Sequence, residues 1–420
     1  MKLEGGTVSK ATEKNGAKGE VIASLDLGTH SAKCVIGHCG DDGQLDIIGT
    51  GSTPVRGLRG GLVHNRAELI ACIKRVKEEA EMMAGCELEE VVASVSGLPV
   101  ESFNAWGVWR VRDREVSAAD VTQVLDIAQA HLLPNDKEVL HCVPGLFQVD
   151  EQRHLVRAVG IRGVRLEVEA HLVVGAGPTF DDVRACAKEA GLTIRGFVHA
   201  GAAGAETIIR DGDKELGVAI VDLGGACTEI SVYKHRALVH TAVLPVGGDH
   251  VTADLHECLQ LPMVEAERLK QSAGCALAWM VGDHEQVELS GGGGRRARLV
   301  PRTQVAGVIE ARYEEILNIV GANLEHAGWP AQMLASVVVT GGASNIAGLP
   351  ELADRVLAGT TVRGEPHDVY GLVDVVKNPR YATATGLVLA ALRGNDVSWV
   401  TPKAVPKRPS LLNRLIDWIR

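Results

Sequence analysis

Two stretches of this chain carry the same chemistry. Ile22–Gly28 reads IASLDLG and Val218–Gly224 reads VAIVDLG; Thr29 and Ser31 follow the first, Gly225 the second. In each, an apolar run ends on an aspartate, Asp26 or Asp222, with a glycine two residues on. Glycine after a strand lets the backbone turn sharply and approach a ligand closely. The N–H groups of such a turn form a nest that suits an anion, and a carboxylate beside it can hold Mg2+, usually through water. Alone, either stretch reads equally well as a β-hairpin with an Asp-Gly turn. Two of them behind matching strands predict related halves whose loops face each other and clamp a phosphate chain. A third stretch, VVVTGGASNIAGLPEL, places Gly341 and Gly342 after an apolar strand. There the backbone can lie against a flat base, or simply turn tightly into a helix.

The elements that must position these loops are legible as pattern. VIASLDL, AKCVIGH and LDIIGTG read as short strands separated by turn residues. A helix is expected over about Asn65–Ala84: Asn65 and Glu68 form a capping box, Leu69, Ile70, Ile73, Val76, Ala80 and Met83 give the stripe, and Gly85 ends it. EVVASVSG reads as a buried strand. From about Pro99 to Val174 the texture changes to alternating strands and a helix capped by Ser117 with Asp120, a small α+β insert. A helix over Thr179–Ala190 follows. The second half repeats the opening with strand, DLGG turn, TEISVY strand and a third strand near Leu238–Pro245. Helices are expected at about Met263–Ala273, Gln304–Ala327 and Tyr381–Leu392, with one started by Pro350. LSGGGGRRARLVPR reads as a mobile surface loop.

The bulk numbers bound the answer. At 420 residues, 46% hydrophobic and 23% charged, the chain has an ordinary globular composition and length for roughly two to three domains. Aromatics are only 3%, so aliphatic residues, Ala and Gly must fill the core. A net charge of −10 argues against a nucleic-acid-binding surface. Nine cysteines with no CxxC pair suit reduced thiols better than a disulfide framework. Residues 1–20 lack an apolar core of the kind a secretory leader needs and read as a polar tail, and no run is long enough to span a membrane.

Strand-DLGT, strand-DLGG and strand-TGG in this order resemble the ATP site of the actin/Hsp70/sugar-kinase superfamily. STPVRGLRGGLVHN, AEMMAGCELEEVVASVSG, VLHCVPGLFQVD, GIRGVRLEVEAHLV and VIEARYEEILNIV narrow the resemblance to the bacterial cell-division FtsA family, from about Val21 to Arg420. The resemblance implies an α/β, two-lobed actin-like ATPase fold with duplicated RNase H-like cores and an inserted α+β subdomain. It divides the chain into an N-terminal tail (1–20), subdomain 1A in two parts (21–97 and 176–200) around insert 1C (98–175), subdomain 2A in two parts (201–261 and 331–393) around 2B (262–330), a linker (394–410) and a membrane-targeting helix (411–420).

The same resemblance implies ATP and Mg2+ in the cleft. Asp26, Gly28, Thr29 and Ser31 match the first phosphate loop, Asp222, Gly224 and Gly225 the second, and Gly341, Gly342 and Ala343 the adenosine loop; Asp26 and Asp222 would hold the metal through water. Glu267 and Lys270 of AERLK match residues that approach the ribose and base, though an i,i+3 surface pair fits them as well. Related second loops read DxGGGT, whereas here Ala226 and Cys227 replace a glycine and a threonine, and His199 falls where relatives orient the attacking water, although a helix-start histidine with no catalytic role is the better reading of it. Slow ATP turnover or none is therefore expected. The resemblance also implies self-assembly into filaments, other division proteins as partners, a peripheral position on the inner face of the membrane at the division site, and docking of the C-terminal peptide of FtsZ near Arg312 and Glu315, which a solvated helix face explains equally. A sugar-kinase-type phosphotransferase, an Hsp70-like chaperone and a pilus-assembly relative are the competing classes.

The C-terminus supports the membrane reading. Set on a helical wheel, Leu411, Leu412, Leu415, Ile416, Trp418 and Ile419 fall on one arc, and Asn413, Arg414, Asp417 and Arg420 on the other. Lys403, Lys407 and Arg408 in the Pro-rich stretch before it suit an anionic lipid surface. Such a helix is too short to span a bilayer and would lie in its interface. Docking on the protein's own core is the alternative.

Overall fold

The computed structural model describes residues 20–40, 44–130, 136–289 and 297–393. The polar N-terminal tail, the linker and the C-terminal amphipathic segment, with Leu411, Leu412, Leu415, Ile416, Trp418 and Ile419, lie outside the described residues.

The first half opens with β1 (Glu20–Leu27), β2 (Ser31–Cys39) and β3 (Leu45–Pro54), then the small hairpin β4 (Leu58–Arg59) and β5 (Leu62–Val63), helix α1 (Arg66–Ala84) and β6 (Glu90–Val95). Helix α1 starts where the Asn65 side chain accepts the Glu68 N–H at 3.3 Å and stops at Gly85, whose φ of 69° is open to glycine. The insert comprises β7 (Val100–Arg110), α2 (Ala118–Ala130), β8 (Lys137–Val149), β9 (Gln152–Leu155) and β10 (Arg165–Ala176). Its strands form a separate four-stranded sheet, ordered β7-β10-β8-β9, with α2 packed on it over a core of its own. Ser117 and Asp120 cap α2 reciprocally: the Ser117 N–H donates to the Asp120 carboxylate at 2.9 Å, and the Asp120 N–H donates to Ser117 Oγ at 3.2 Å.

The chain returns through α3 (Gly177–Glu189) and β11 (Thr193–His199), then crosses by α4 (Ala200–Ile208) and α5 (Asp211–Leu216) to the second half. That half holds β12 (Val218–Leu223), β13 (Thr228–Lys234), β14 (Ala237–Leu244), α6 (Gly248–Leu259), α7 (Met263–Ala273), β15 (Gln286–Leu289), β16 (Arg298–Pro301), α8 (Arg302–His326), β17 (Ser336–Thr340), α9 (Leu349–Leu357) and β18 (Thr361–Arg363). The described chain closes with β19 (Tyr370–Gly371), α10 (Val373–Val376) and α11 (Ala382–Arg393).

The two large sheets are built alike. Strands β3-β2-β1-β6-β11 and β14-β13-β12-β17-β18 have the same order, and in each the first three pair antiparallel and the last two add in parallel. The two halves therefore duplicate one topology, the mixed α/β arrangement expected from the repeated strand-DLG stretches. Two local expectations fail. Met83, expected on the α1 stripe, is exposed at the end of the helix, where the stripe runs off the core. Part of LSGGGGRRARLVPR is not loop: β15 and β16 pair antiparallel, Val287 opposite Val300, with Leu289 and Val300 buried. Glycine and arginine content masks two short alternating strands, which register only once they pair.

Helices α4 and α11 hold the halves together. Every residue of α4 is buried, and α4 touches β6 and β11 of one sheet and β12 and β13 of the other. Helix α11 lies against α4, β1 and β2. Their crossing is close: a Cβ at Gly386 would sit 1.9 Å from the Ala203 carbonyl oxygen. Ser24 Oγ donates to the Ala384 carbonyl at 2.7 Å and Thr207 Oγ1 to the Ala382 carbonyl at 3.2 Å. At the end of the crossing, buried Glu206 pairs with Lys214 at 2.7 Å and with Arg393. Replacing Gly386 by Ala must push the two helices apart, at a cost of about 1–3 kcal/mol. Differential scanning fluorimetry should show a lowered thermal midpoint for Gly386→Ala, whereas Gly307→Ala, at a glycine with no atom within 4 Å of its added Cβ, should not lower it.

Candidate functional site

Between the two halves lies a cavity of about 680 Å³. It is lined by Asp26, Gly28, Thr29 and Ser31 from the first DLG stretch, Asp222, Gly224 and Gly225 from the second, Gly341, Gly342 and Ala343 from the third, and Glu267 and Lys270 from α7. Segments up to 317 residues apart in sequence thus meet at one place.

Its floor is built twice from the same hairpin. Asp26 lies opposite Lys33 and Leu27 opposite Ala32 in β1–β2; Asp222 lies opposite Glu229 and Leu223 opposite Thr228 in β12–β13. The Gly28 N–H donates to the Ser31 carbonyl at 3.2 Å, and the Gly224 N–H to the Cys227 carbonyl at 3.0 Å. The two readings of these stretches are one object: hairpin turns, facing a shared cavity. The third loop approaches the second without a side chain in between. Gly341 has a φ of +88°, and a Cβ there would lie 2.1 Å from Asp222 Oδ1. The loop is completed by Tyr313 of α8, whose hydroxyl donates to the Ala343 carbonyl at 2.7 Å.

The charges on the floor differ between the halves. Asp26 is buried and fully engaged: Lys33 Nζ lies 3.1 Å from one carboxylate oxygen, and Ser94 Oγ donates to the other at 2.8 Å. Burial, with Asp26 nearby, pushes Asp222 up to about 6, partly offset by Lys33 and a Thr383 hydrogen bond. Burial and the Asp222 charge push Glu229 up to about 8, against a hydrogen bond from the Gly97 N–H at 2.8 Å. At the rim, Lys270 Nζ donates to the Gly248 carbonyl at 2.9 Å and Thr252 Oγ1 at 2.8 Å, and pairs with Glu267 at 2.7 Å. Burial alone would raise Glu267, but Lys270, Thr252 and Gln271 hold it below its ordinary value.

Other singled-out residues stand apart. His199 is buried behind the cavity at the start of α4; its N–H donates to His141 Nε2 at 2.9 Å, and Ala200 rather than His199 lines the space. Burial drives His199 down to about 4, so it is neutral. Ala226 is not among the residues with a left-handed backbone and does not line the cavity; Cys227 does, and burial pushes its thiol up to about 11. Arg312 on α8 forms a two-pronged pair with Asp254 of α6, at 2.5 and 2.8 Å, and reaches Glu315 at 2.5 Å. Sequence reasoning missed Lys33, Glu229 and Arg380, which line the cavity, and Ser94, which braces Asp26. For Lys33 and Glu229 a signal existed: each stands seven residues after its aspartate, the spacing that sets them opposite across a tight hairpin. Among the described residues, no three His, Cys, Asp or Glu side chains are grouped as direct metal ligands.

The duplicated sheets, the cleft between them and the separate inserted sheet define an actin-like ATPase fold. Among solved structures, the chain is similar to a component of the PilM–PilN type IV pilus biogenesis complex (TM-score 0.65, 17% identity, covering 88% of this chain and 98% of that one) and to MreB5 of Spiroplasma citri bound to ADP (TM-score 0.53, 13% identity, covering 90% and 97%). The family model for cell division protein FtsA matches residues 219–386, and that for the SHS2 domain inserted in FtsA matches residues 97–174. Curated cell division proteins FtsA are 36% identical in Pseudomonas aeruginosa, over 96% of this chain and 98% of that protein, and 32% identical in Escherichia coli K12, over 98% and 99%. The chain belongs to the FtsA family of actin-like cell-division proteins.

Glu229 gives the site a measurable signature. Its native pKa of about 8 lies above the ordinary 4.5, so between these values the folded protein binds more protons than the unfolded chain. The stability associated with the neutral form is present below about pH 4.5 and is lost as pH rises to about 8. In Glu229→Gln, thermal midpoints measured from pH 5 to 8.5 should fall less with pH than in the wild type. Parallel curves would show that Glu229 does not titrate in this range.

Proposed function

We propose that the cleft binds ATP with Mg2+ and that nucleotide binding drives assembly of this division protein into filaments at the membrane. One observation carries the reading: two hairpin turns of identical register face a single cavity, and a side-chain-free third loop closes on one of them. The fit is supported by the cradle itself. Gly28, Gly224, Gly225 and Gly248 line the cavity without side chains, so these loops present bare backbone where a polyphosphate would lie. Lys33 and Lys270 supply positive charge. The metal, when bound, supplies further positive charge to the phosphates. Asp222 would hold it through water, with Asp26 fixed beside it by Lys33 and Ser94. Solved MreB5 structures of the same fold carry ADP or AMPPNP.

In this reading hydrolysis is slow or absent. A base for the attacking water must be ionised or basic near neutral pH and must reach the cavity. The Cys227 thiol at about 11 is neutral, Glu229 at about 8 is mostly protonated, His199 does not line the space, and Asp222, ionised above about 6, would be committed to the water around the metal. The adenosine would lie along Gly341, Gly342 and Ala343, with Glu267 and Lys270 toward the ribose.

Partner binding completes the proposal. The C-terminal peptide of FtsZ would dock along α8, contacting Arg312 and Glu315, with Asp254 fixing the guanidinium in place. The amphipathic segment 411–420 would lie in the interface of an anionic membrane, each copy weakly and a filament of copies strongly by avidity. Later division proteins would then be recruited to this membrane-bound polymer.

Asp222→Ala and Asp26→Ala should each weaken equilibrium binding of a fluorescent ATP analogue with Mg2+ by about tenfold, the loss of one charge-assisted contact. Wild-type affinity in both variants would remove the nucleotide reading. Deleting 411–420 should leave nucleotide binding intact and abolish co-sedimentation with vesicles containing anionic lipid; a truncated protein that still pellets with them would show that the anchor is elsewhere.

A further inference from the structure

His30 and Asp249 meet across the cleft. His30 belongs to the turn after β1, Asp249 to the first turn of α6, and 219 residues separate them. The imidazole Nε2 contacts Asp249 Oδ1 directly. Both are anchored from behind: the His30 carbonyl accepts the Val55 N–H at 3.0 Å, and the Asp249 N–H donates to the Gly225 carbonyl at 2.9 Å. The ring rests on the second hairpin turn, where a Cβ on Gly225 would come within 2.4 Å of His30 Cδ2 and 3.0 Å of Asp249 Oδ1. The side chains are 57% and 38% exposed, so the pair bridges the two turns at the solvent edge of the gap that a phosphate chain would occupy if the cleft holds a nucleotide.

We propose that His30 and Asp249 form a latch between the two lobes that closes over the bound phosphates and slows nucleotide release. This rests on the nucleotide reading above. A contact between lobes must break before they separate, so its strength adds to the barrier for release and leaves the contacts made by the nucleotide itself unchanged. The latch is also pH-sensitive. The groups facing it are Asp249 and His250 at the start of α6, Glu267 and Lys270 on α7, and Cys227 in the second turn. The hydrogen bond to Asp249 outweighs burial and holds His30 above its ordinary value of 6.5, while His30 helps hold Asp249 below its own despite burial. Below the His30 midpoint the latch is an ion pair; as pH rises through it the imidazole loses its charge and the latch loosens.

The test is release of a fluorescent ATP analogue from the full-length protein, chased with excess ATP in a stopped-flow instrument. Asp222 and Glu229 also titrate near neutrality, so the ratio of rates between variants is the informative quantity. His30→Gln should release about threefold faster than wild type at pH 6, the scale of a partly exposed ion pair, with the ratio closing toward one at pH 8.5. His30→Lys, charged throughout, should match wild type at pH 6 and be slower than wild type at pH 8.5. Equal rates for wild type and His30→Gln at pH 6, or a wild-type pH slope in His30→Lys, would overturn the latch while leaving the nucleotide site standing. A wild-type protein that takes up no analogue would overturn both.

Discussion

The distance of closest approach between α4 and α11 sets the geometry of everything at the cleft. The two helices cross where Gly386 has no side chain and the Ala203 carbonyl fills the space a Cβ would need. Because α4 touches strands of both large sheets and α11 lies on β1 and β2, this crossing fixes how far apart the two DLG hairpins stand. A wider crossing would leave the strands intact and still shift one hairpin relative to the other. Small residues at this point are therefore a constraint on the site as well as on packing.

The halves duplicate backbone but not charge. Position for position, the residue opposite Asp26 is Lys33 and the residue opposite Asp222 is Glu229. One hairpin is internally neutralised; the other concentrates two acids in a buried setting where burial raises both and the Asp222 charge further disfavours ionisation of Glu229. The floor of the cleft is thus polarised from one lobe to the other. In the proposed function, a bound cation would be favoured on the Asp222 side. A perfectly symmetric duplication would have offered no such direction.

What the sequence makes legible follows from how local each signal is. The strands before each DLG, the Asn65 and Ser117 caps and the Gly85 stop depend on neighbours within a few residues, and the structure shows all of them. The order of three glycine-rich stretches was enough to bring ten residues to one cavity, because superimposed duplication leaves little freedom in where the turns point; Glu267 and Lys270 joined them through the resemblance of AERLK. Contacts formed only after folding were not legible. Nothing near His30 announces Asp249, nothing in VIEARYEEILNIV reveals that Arg312 is held by Asp254, and β15 and β16 are strands only because they have each other. His199 stands at the start of α4, and its side chain is folded into the core behind the cavity, as expected of a helix-start histidine with no catalytic role.

Arg393 is the last residue of α11, and its guanidinium is tied to Glu206, a buried carboxylate that also holds Lys214 beside the Tyr233 ring. The C-terminal end of α11 is thus fastened to α4, which touches both large sheets. In mechanical terms α4 is a crossbeam, and Arg393 bolts α11 to its end. A pull applied at Arg393 would be delivered into the crossbeam rather than into a loop that could peel away. A load at that point and the spacing of the two lobes are thereby parts of one mechanical circuit.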